Sequence, residues 1–180
     1  MKVILAGILG AIVLFVWSAA SWMVLPWHMK TIHTFNDEKS VVAIIQANAT
    51  ESGVYMLPMM DDKGTLKNPE LAKGPTIFAA IKMQPMNATM TTQMVISFLA
   101  QLVPALFVAW ILCLARGLSY FGRVGLVLLF GIAGAVASQI PLWNWFGFDE
   151  QYISIMMADI IIGWFLAGLV MAGLVCRSKK

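Results

Sequence analysis

The chain has 180 residues, of which 60% are hydrophobic and 12% charged, with a formal net charge of +3. Soluble domains carry about twice that share of charge, roughly a quarter of their residues. The composition therefore excludes an ordinary soluble globular domain and implies a surface that largely meets lipid.

The first apolar run, within residues 1–26, is long enough to cross a hydrocarbon core of about 30 Å. Ser18-Ala19-Ala20 loosely resembles a signal-peptide cleavage site, but the run continues through Trp22 and Leu25, so it is expected to remain as an anchor. Residues 27–91 form the sizeable polar segment. Its lysines (Lys30, Lys39, Lys63, Lys67, Lys73, Lys82) are matched by Asp37, Glu38, Glu51, Asp61, Asp62 and Glu70, a balance that leaves no nucleic-acid footprint.

Within this segment Asn36 is placed to cap a helix whose first turn holds Asp37 and Glu38. Val41, Ile44, Ile45 and Asn48 follow at helical spacing, with Gly53 as a stop. Residues 54–57 and 76–83 read as strands, closed by Pro58 and Pro85. Asn68-Pro69, followed by Gly74, reads as a brief helix. The segment is thus expected to be a small α/β cap with a marginal core, resting on the long helices. Two sequons, at Asn48 and Asn87, read as chance in a chain of bacterial appearance.

Residues 92–176 hold three further spans, at about 92–115, 124–143 and 152–176. Arg116 and Arg123 fall in the loop between spans two and three, and Arg177, Lys179 and Lys180 follow span four. The loop before span four carries Asp149 and Glu150 and no base. By the positive-inside rule both termini and the arginine loop are cytoplasmic, and the cap lies outside. Trp27, Trp143 and Trp145 then share the outer interface, where aromatic belts form. The expected architecture is an all-α membrane protein, a bundle of four transmembrane helices with an extracytoplasmic α/β cap between helices 1 and 2. The expected location is a bacterial inner membrane.

Asp159 is the carboxylate placed inside an apolar run, where an ionisable group is costly and turns inward. Asp159, Gly163 and Ala167 recur every four residues, so acid and small residues share one face suited to close helix packing. Gln93, Ser97, Gln101 and Pro104 line one face of span two. Ser138 and Gln139 lie near the outer end of span three, above Gly131, Gly134 and Ala135. The inner halves hold almost nothing polar, which argues against a conducting path through the full thickness. An outward-facing pocket of Gln93, Ser97, Gln101, Gln139 and Asp159 is one reading. A hydrogen-bond anchor between Asp159 and Gln101 or Gln139 is the other.

His28 and His33 follow span one, and with Asp159 they would suit a transition metal by ligand type. Their spacing gives no shared helical face, and no Cys or His cluster joins them, so no metal or cofactor is expected. The methionine patches (Met56, Met59 and Met60, then Met83, Met86, Met90 and Met94) read as flexible packing. Cys113 and Cys176 read as packing residues, with no structural bridge. Pro141-Leu142-Trp143-Asn144-Trp145 reads as a tight corner.

The layout is similar to that of signal peptidase II, an aspartyl peptidase with four spans, a cap after the first, and both ends inside. Ala158-Asp159 resembles one of that family's two catalytic aspartates, and on that likeness Asp159 is a candidate catalytic residue. Met156 and Met157 stand where the family has its Asn, and span three holds no partner Asp. A dyad needs two carboxylates at one site. The leading expectation is accordingly a non-catalytic component of a larger membrane assembly, partnered by lipid and by other subunits or copies of itself. The alternative is an enzyme or a lipid- or lipoprotein-binding protein using Asp159.

Overall fold

A computed structural model describes residues 2–85, 89–115 and 117–175. The Asn87 sequon, Met86, Arg116, Cys176, Arg177, Lys179 and Lys180 lie outside the described residues. The chain is mostly helical, with four helices long and apolar enough to cross a membrane: α1 (Lys2–Met23), α3 (Thr91–Leu114), α4 (Tyr120–Phe146) and α5 (Glu150–Leu174). Among the described residues there are also a short helix, α2 (Glu38–Asn48), two strands, β1 (Gly53–Leu57) and β2 (Ile77–Ile81), and two 3-10 turns, Met29–Thr31 and Pro69–Lys73. The chain divides into two compact units, one of residues 1–32 with 89–180 and one of 33–88.

In the larger unit α1 packs on α3 and α5, and α5 packs on α4, while α3 and α4 barely meet. Small residues let the backbones close. Ala6, Gly7, Gly10 and Ala11 are buried on α1, Gly131 and Ala135 on α4, and Gly163, Ala167, Gly168 and Ala172 on α5. A Cβ on Gly131 would stand 2.6 Å from Trp164 Cβ, and one on Gly7 would stand 3.0 Å from Leu106 Cα. Leu14, Val108, Leu112, Val127 and Met171 fill the space between these contacts.

The ends of the long helices differ from expectation in two places. α4 begins at the Ser119 cap, whose hydroxyl accepts the Gly122 N–H, so Arg123 lies in the first helical turn rather than in a loop. Its buried guanidinium donates to the carbonyls of Ala172 (3.4 Å) and Val175 (3.2 Å), which the end of α5 leaves without intrahelical donors. The Pro141 corner is also helical. Proline removes one donor there, yet α4 continues to Phe146 and is closed by Gly147 at φ 71, with Phe148 N–H returning to Leu142 O. Asp149 is not a free loop acid: it caps α5, accepting from the N–H groups of Gln151 and Tyr152.

In the smaller unit the cap of α2 is Asp37, one residue beyond the expected Asn36, and it accepts from the N–H groups of Lys39 and Ser40. The helix ends at Asn48, and Gly53 opens β1 rather than closing α2. β1 and β2 pair antiparallel, from Gly53 opposite Ile81 to Leu57 opposite Ile77. Ser52 extends the pairing, donating to Gln84 Oε1 and accepting the Met83 N–H. Pro69–Lys73 forms a 3-10 turn, closed by Gly74 at φ 83. Ala49 is the buried hydrophobic of this unit among the described residues, while Phe35, Ile44, Val54 and Met59 are exposed. Such a unit has little core of its own.

Candidate ligand site

Asp159 sits nine residues into α5, about 14 Å from its first residue at 1.5 Å per residue. It is 9% exposed. What reaches it comes from the end of α1. Past Met23 the chain turns back: the Leu25 N–H bonds Ala20 O, the Lys30 N–H bonds Pro26 O, and residues 29–31 form a 3-10 turn. Pro26 cannot supply an N–H to continue α1. The turn carries His28 inward until it is fully buried, and Thr31 Oγ1 fixes it by donating to His28 O at 2.8 Å.

His28 Nε2 lies 3.0 Å from Ser21 Oγ and 3.5 Å from Asp159 Oδ2. Ser21, also fully buried, accepts the Trp27 Nε1–H at 3.0 Å. The imidazole is stacked on Trp22 (centroids 4.0 Å apart, planes 4° apart), and Trp27 meets it edge-on. Trp17, from α1, meets Trp27 edge-on with ring centroids 6.2 Å apart. Its Nε1–H donates to the backbone carbonyl of Asp159 at 3.0 Å, and its Cδ1 would lie 3.0 Å from a Cβ on Gly163. Glycine at 163 is thus what admits the indole.

Ser, His and Asp in contact suggest a nucleophile relay, but the geometry is different. In a relay, serine and aspartate address opposite nitrogens of the imidazole. Here both address Nε2, and the buried Nδ1 has no hydrogen-bond partner among the described residues. Among the described residues no second carboxylate joins it either: Asp149 stands ten residues before Asp159, about 15 Å along the helix. The cluster orients Asp159 and leaves its other oxygen free.

That oxygen belongs to a residue lining a cavity of about 270 Å³. Leu14, Trp17 and Ser18 contribute from α1, Gln101 and Pro104 from α3, and Gly163 and Trp164 from α5 beside Asp159. Asp159 Oδ1 and Gln101 Oε1 are both buried and have no hydrogen-bond partner among the described residues. Pro104, which lacks an N–H and so leaves the Ala100 carbonyl without its helical donor, lines the same cavity, as does Ala100. Buried polar atoms are rarely left unmatched, so the two side-chain acceptors at one cavity call for a donor from outside the chain.

The structure thus brings together two of the five residues singled out as a pocket, Gln101 and Asp159. Gln139 is buried on α4, its amide donating to Ser138 Oγ at 3.1 Å, and it is not among the residues lining this cavity. Gln93 and Ser97 are exposed on α3. His33 belongs to the smaller unit and is exposed. No group of three or more His, Cys, Asp or Glu side chains is placed to hold a metal among the described residues. The Trp17 bond and the packing of His28 between Trp22 and Trp27 were not read from sequence. Trp17, Trp22 and Trp27 recur every five residues, a spacing that gains meaning once the chain doubles back. Comparison of the chain with protein-family models, with curated proteins and with solved structures found no match.

Proposed function

We propose that the protein is a multi-pass inner-membrane protein that works without catalysis, as a ligand- and partner-binding component of a larger membrane assembly. The four long helices expose Ile4, Ile12, Val16, Leu99, Phe107, Leu129 and Phe165, an apolar exposure that suits lipid. Both termini and the α3–α4 link are cytoplasmic on the positive-inside argument, with residues 33–88 outside. The four helices then form the transmembrane bundle. The exposed apolar side chains of the smaller unit suit a partner subunit or a second copy.

One observation carries the ligand-binding role: the buried, unmatched oxygens of Asp159 and Gln101 at a shared cavity. A structural anchor would have brought those oxygens to donors on neighbouring helices. An acid–base enzyme would have placed Ser21 and Asp159 on opposite sides of the imidazole. The test is native mass spectrometry of protein released from its own membrane. Wild type is expected to carry a small-molecule adduct that is lost in Asp159→Asn and in Ala100→Leu, which fills the cavity. A bare wild-type mass would contradict the role.

A further inference from the structure

We propose that the cavity between α1, α3 and α5 binds a primary ammonium group on an apolar stem, from a free alkylamine or the amine head of a lipid. The proposal rests on the ligand-holding role of the same cavity and specifies its chemistry. The unmet polar demand of the site is for donors. Asp159 Oδ1 and Gln101 Oε1 are buried acceptors with no hydrogen-bond partner among the described residues, and the Ser18 hydroxyl offers a further oxygen. No Lys, Arg or His is among the described residues that line the cavity.

An ammonium group has three N–H donors and a positive charge. It can meet both unmatched acceptors at once, one of them an aspartate, with a donor left for the Ser18 oxygen, and hydrogen bonds between charged groups are about twice as strong as neutral ones. Trp17 and Trp164 stand in the wall, and an indole face attracts a cation further. Leu14 and Ile160 give the stem an apolar lodging. Other classes fit less well. An anion would face the Asp159 carboxylate with no cationic side chain to offset it among the described lining residues. A quaternary ammonium has no N–H to give. A hydroxyl has one donor for two oxygens and no charge to set against the carboxylate. A bare metal ion would fill a small part of about 270 Å³.

His28 has a defined part in this arrangement. By taking Oδ2 it turns the carboxylate so that Oδ1 is left for the ligand. The Trp17 bond to the Asp159 carbonyl fixes the same turn of α5.

The experiment titrates the protein in phosphatidylcholine nanodiscs with hexylammonium, hexyltrimethylammonium and hexanol, following tryptophan fluorescence. Hexylammonium is expected to give a saturable change, with both analogues weaker by at least about tenfold, the loss of one charged hydrogen bond. Asp159→Asn and Gln101→Leu are each expected to weaken hexylammonium, so the result survives if one variant fails to fold. If hexanol binds as tightly and Asp159→Asn loses both ligands, the ammonium class is overturned and the ligand-holding role stands. If folded wild type responds to none of the three, both fall. Adding phosphatidylethanolamine separates the sources: competition with hexylammonium assigns the site to a lipid amine, and undiminished binding assigns it to a free amine.

Discussion

His28 Nε2 lies 3.5 Å from Asp159 Oδ2, and this contact ties the turn after α1 to the interior of α5. The pair costs desolvation on both sides, so its value is best seen when one partner is removed. His28→Phe keeps a ring to stack on Trp22 but removes the contact to Asp159 Oδ2, and it leaves Ser21 with the Trp27 indole alone. It is expected to cost about 1–3 kcal/mol, the penalty for leaving a buried polar group unsatisfied. Adding Asp159→Leu should recover part of that loss, because replacing both members by apolar groups removes the orphaned charge. Thermal unfolding in detergent measures both; strictly additive losses would show that the two side chains are not coupled.

Two neighbouring glycines on α4 provide a matched pair. Alanine at Gly131 would drive its Cβ to 2.6 Å from Trp164 Cβ, whereas at Gly134 it meets nothing within 4 Å. Gly131→Ala is expected to cost about 1–3 kcal/mol by overpacking. Gly134→Ala is expected to be neutral or to gain up to about 1 kcal/mol of helix propensity. Equal melting temperatures for the two variants would mean that α4 and α5 do not pack face to face as described.

The side of the membrane on which each segment lies is testable by labelling. In a chain with Cys113 and Cys176 replaced by serine, Lys63→Cys is expected to react with an impermeant maleimide on intact spheroplasts. Leu118→Cys, between α3 and α4, is expected to react only after lysis. The reverse pattern would invert the proposed orientation.

Asp37 gives the smaller unit a pH dependence of known sign. The Ser40 hydroxyl, together with the N–H groups of Ser40 and Lys39, holds its carboxyl below the ordinary aspartate value. A carboxyl lowered on folding stabilises above its unfolded pKa, near 3.9 for aspartate, and that contribution is lost as pH falls through the lower folded value. Amide exchange in α2 should therefore accelerate as pH drops below about 4, after correction for the intrinsic rate. Asp37→Ala should show fast exchange at pH 7 with no such step. A step of equal size in both proteins would assign it to another group.

Much of this architecture was legible in the sequence because its signals are local. Four long apolar runs, proline and glycine punctuation, and the alternating residues of β1 each act over a few positions. Asp159 stood out for a similar reason, as a lone acid in an apolar run beside Gly163 and Ala167. Gln101 and Pro104 also shared a face with what became the cavity wall. His28 was grouped with Asp159 by ligand type alone, and its direct contact with the carboxylate depends on a chain reversal. His28 follows α1 by a few residues, and nothing in periodicity says that a turn after Pro26 folds it back between the indoles of Trp22 and Trp27. Arg123 was misplaced because Ser119 starts α4 a turn early, and the cost of burying a guanidinium is offset at carbonyls supplied by the distant end of α5. Gln93 and Ser97 share the face of Gln101 by spacing, yet α3 and α5 do not close on one another along that length.

The most direct measurement is an experimental structure of the protein in nanodiscs, at a resolution that shows small bound groups. Non-protein density within about 3 Å of both Asp159 Oδ1 and Gln101 Oε1, with its apolar end toward Leu14 and Ile160, is the expected result. A cavity closed by side chains, with Asp159 Oδ1 bonded to a donor on a neighbouring helix, would contradict the ligand site and leave Asp159 an anchor of helix packing.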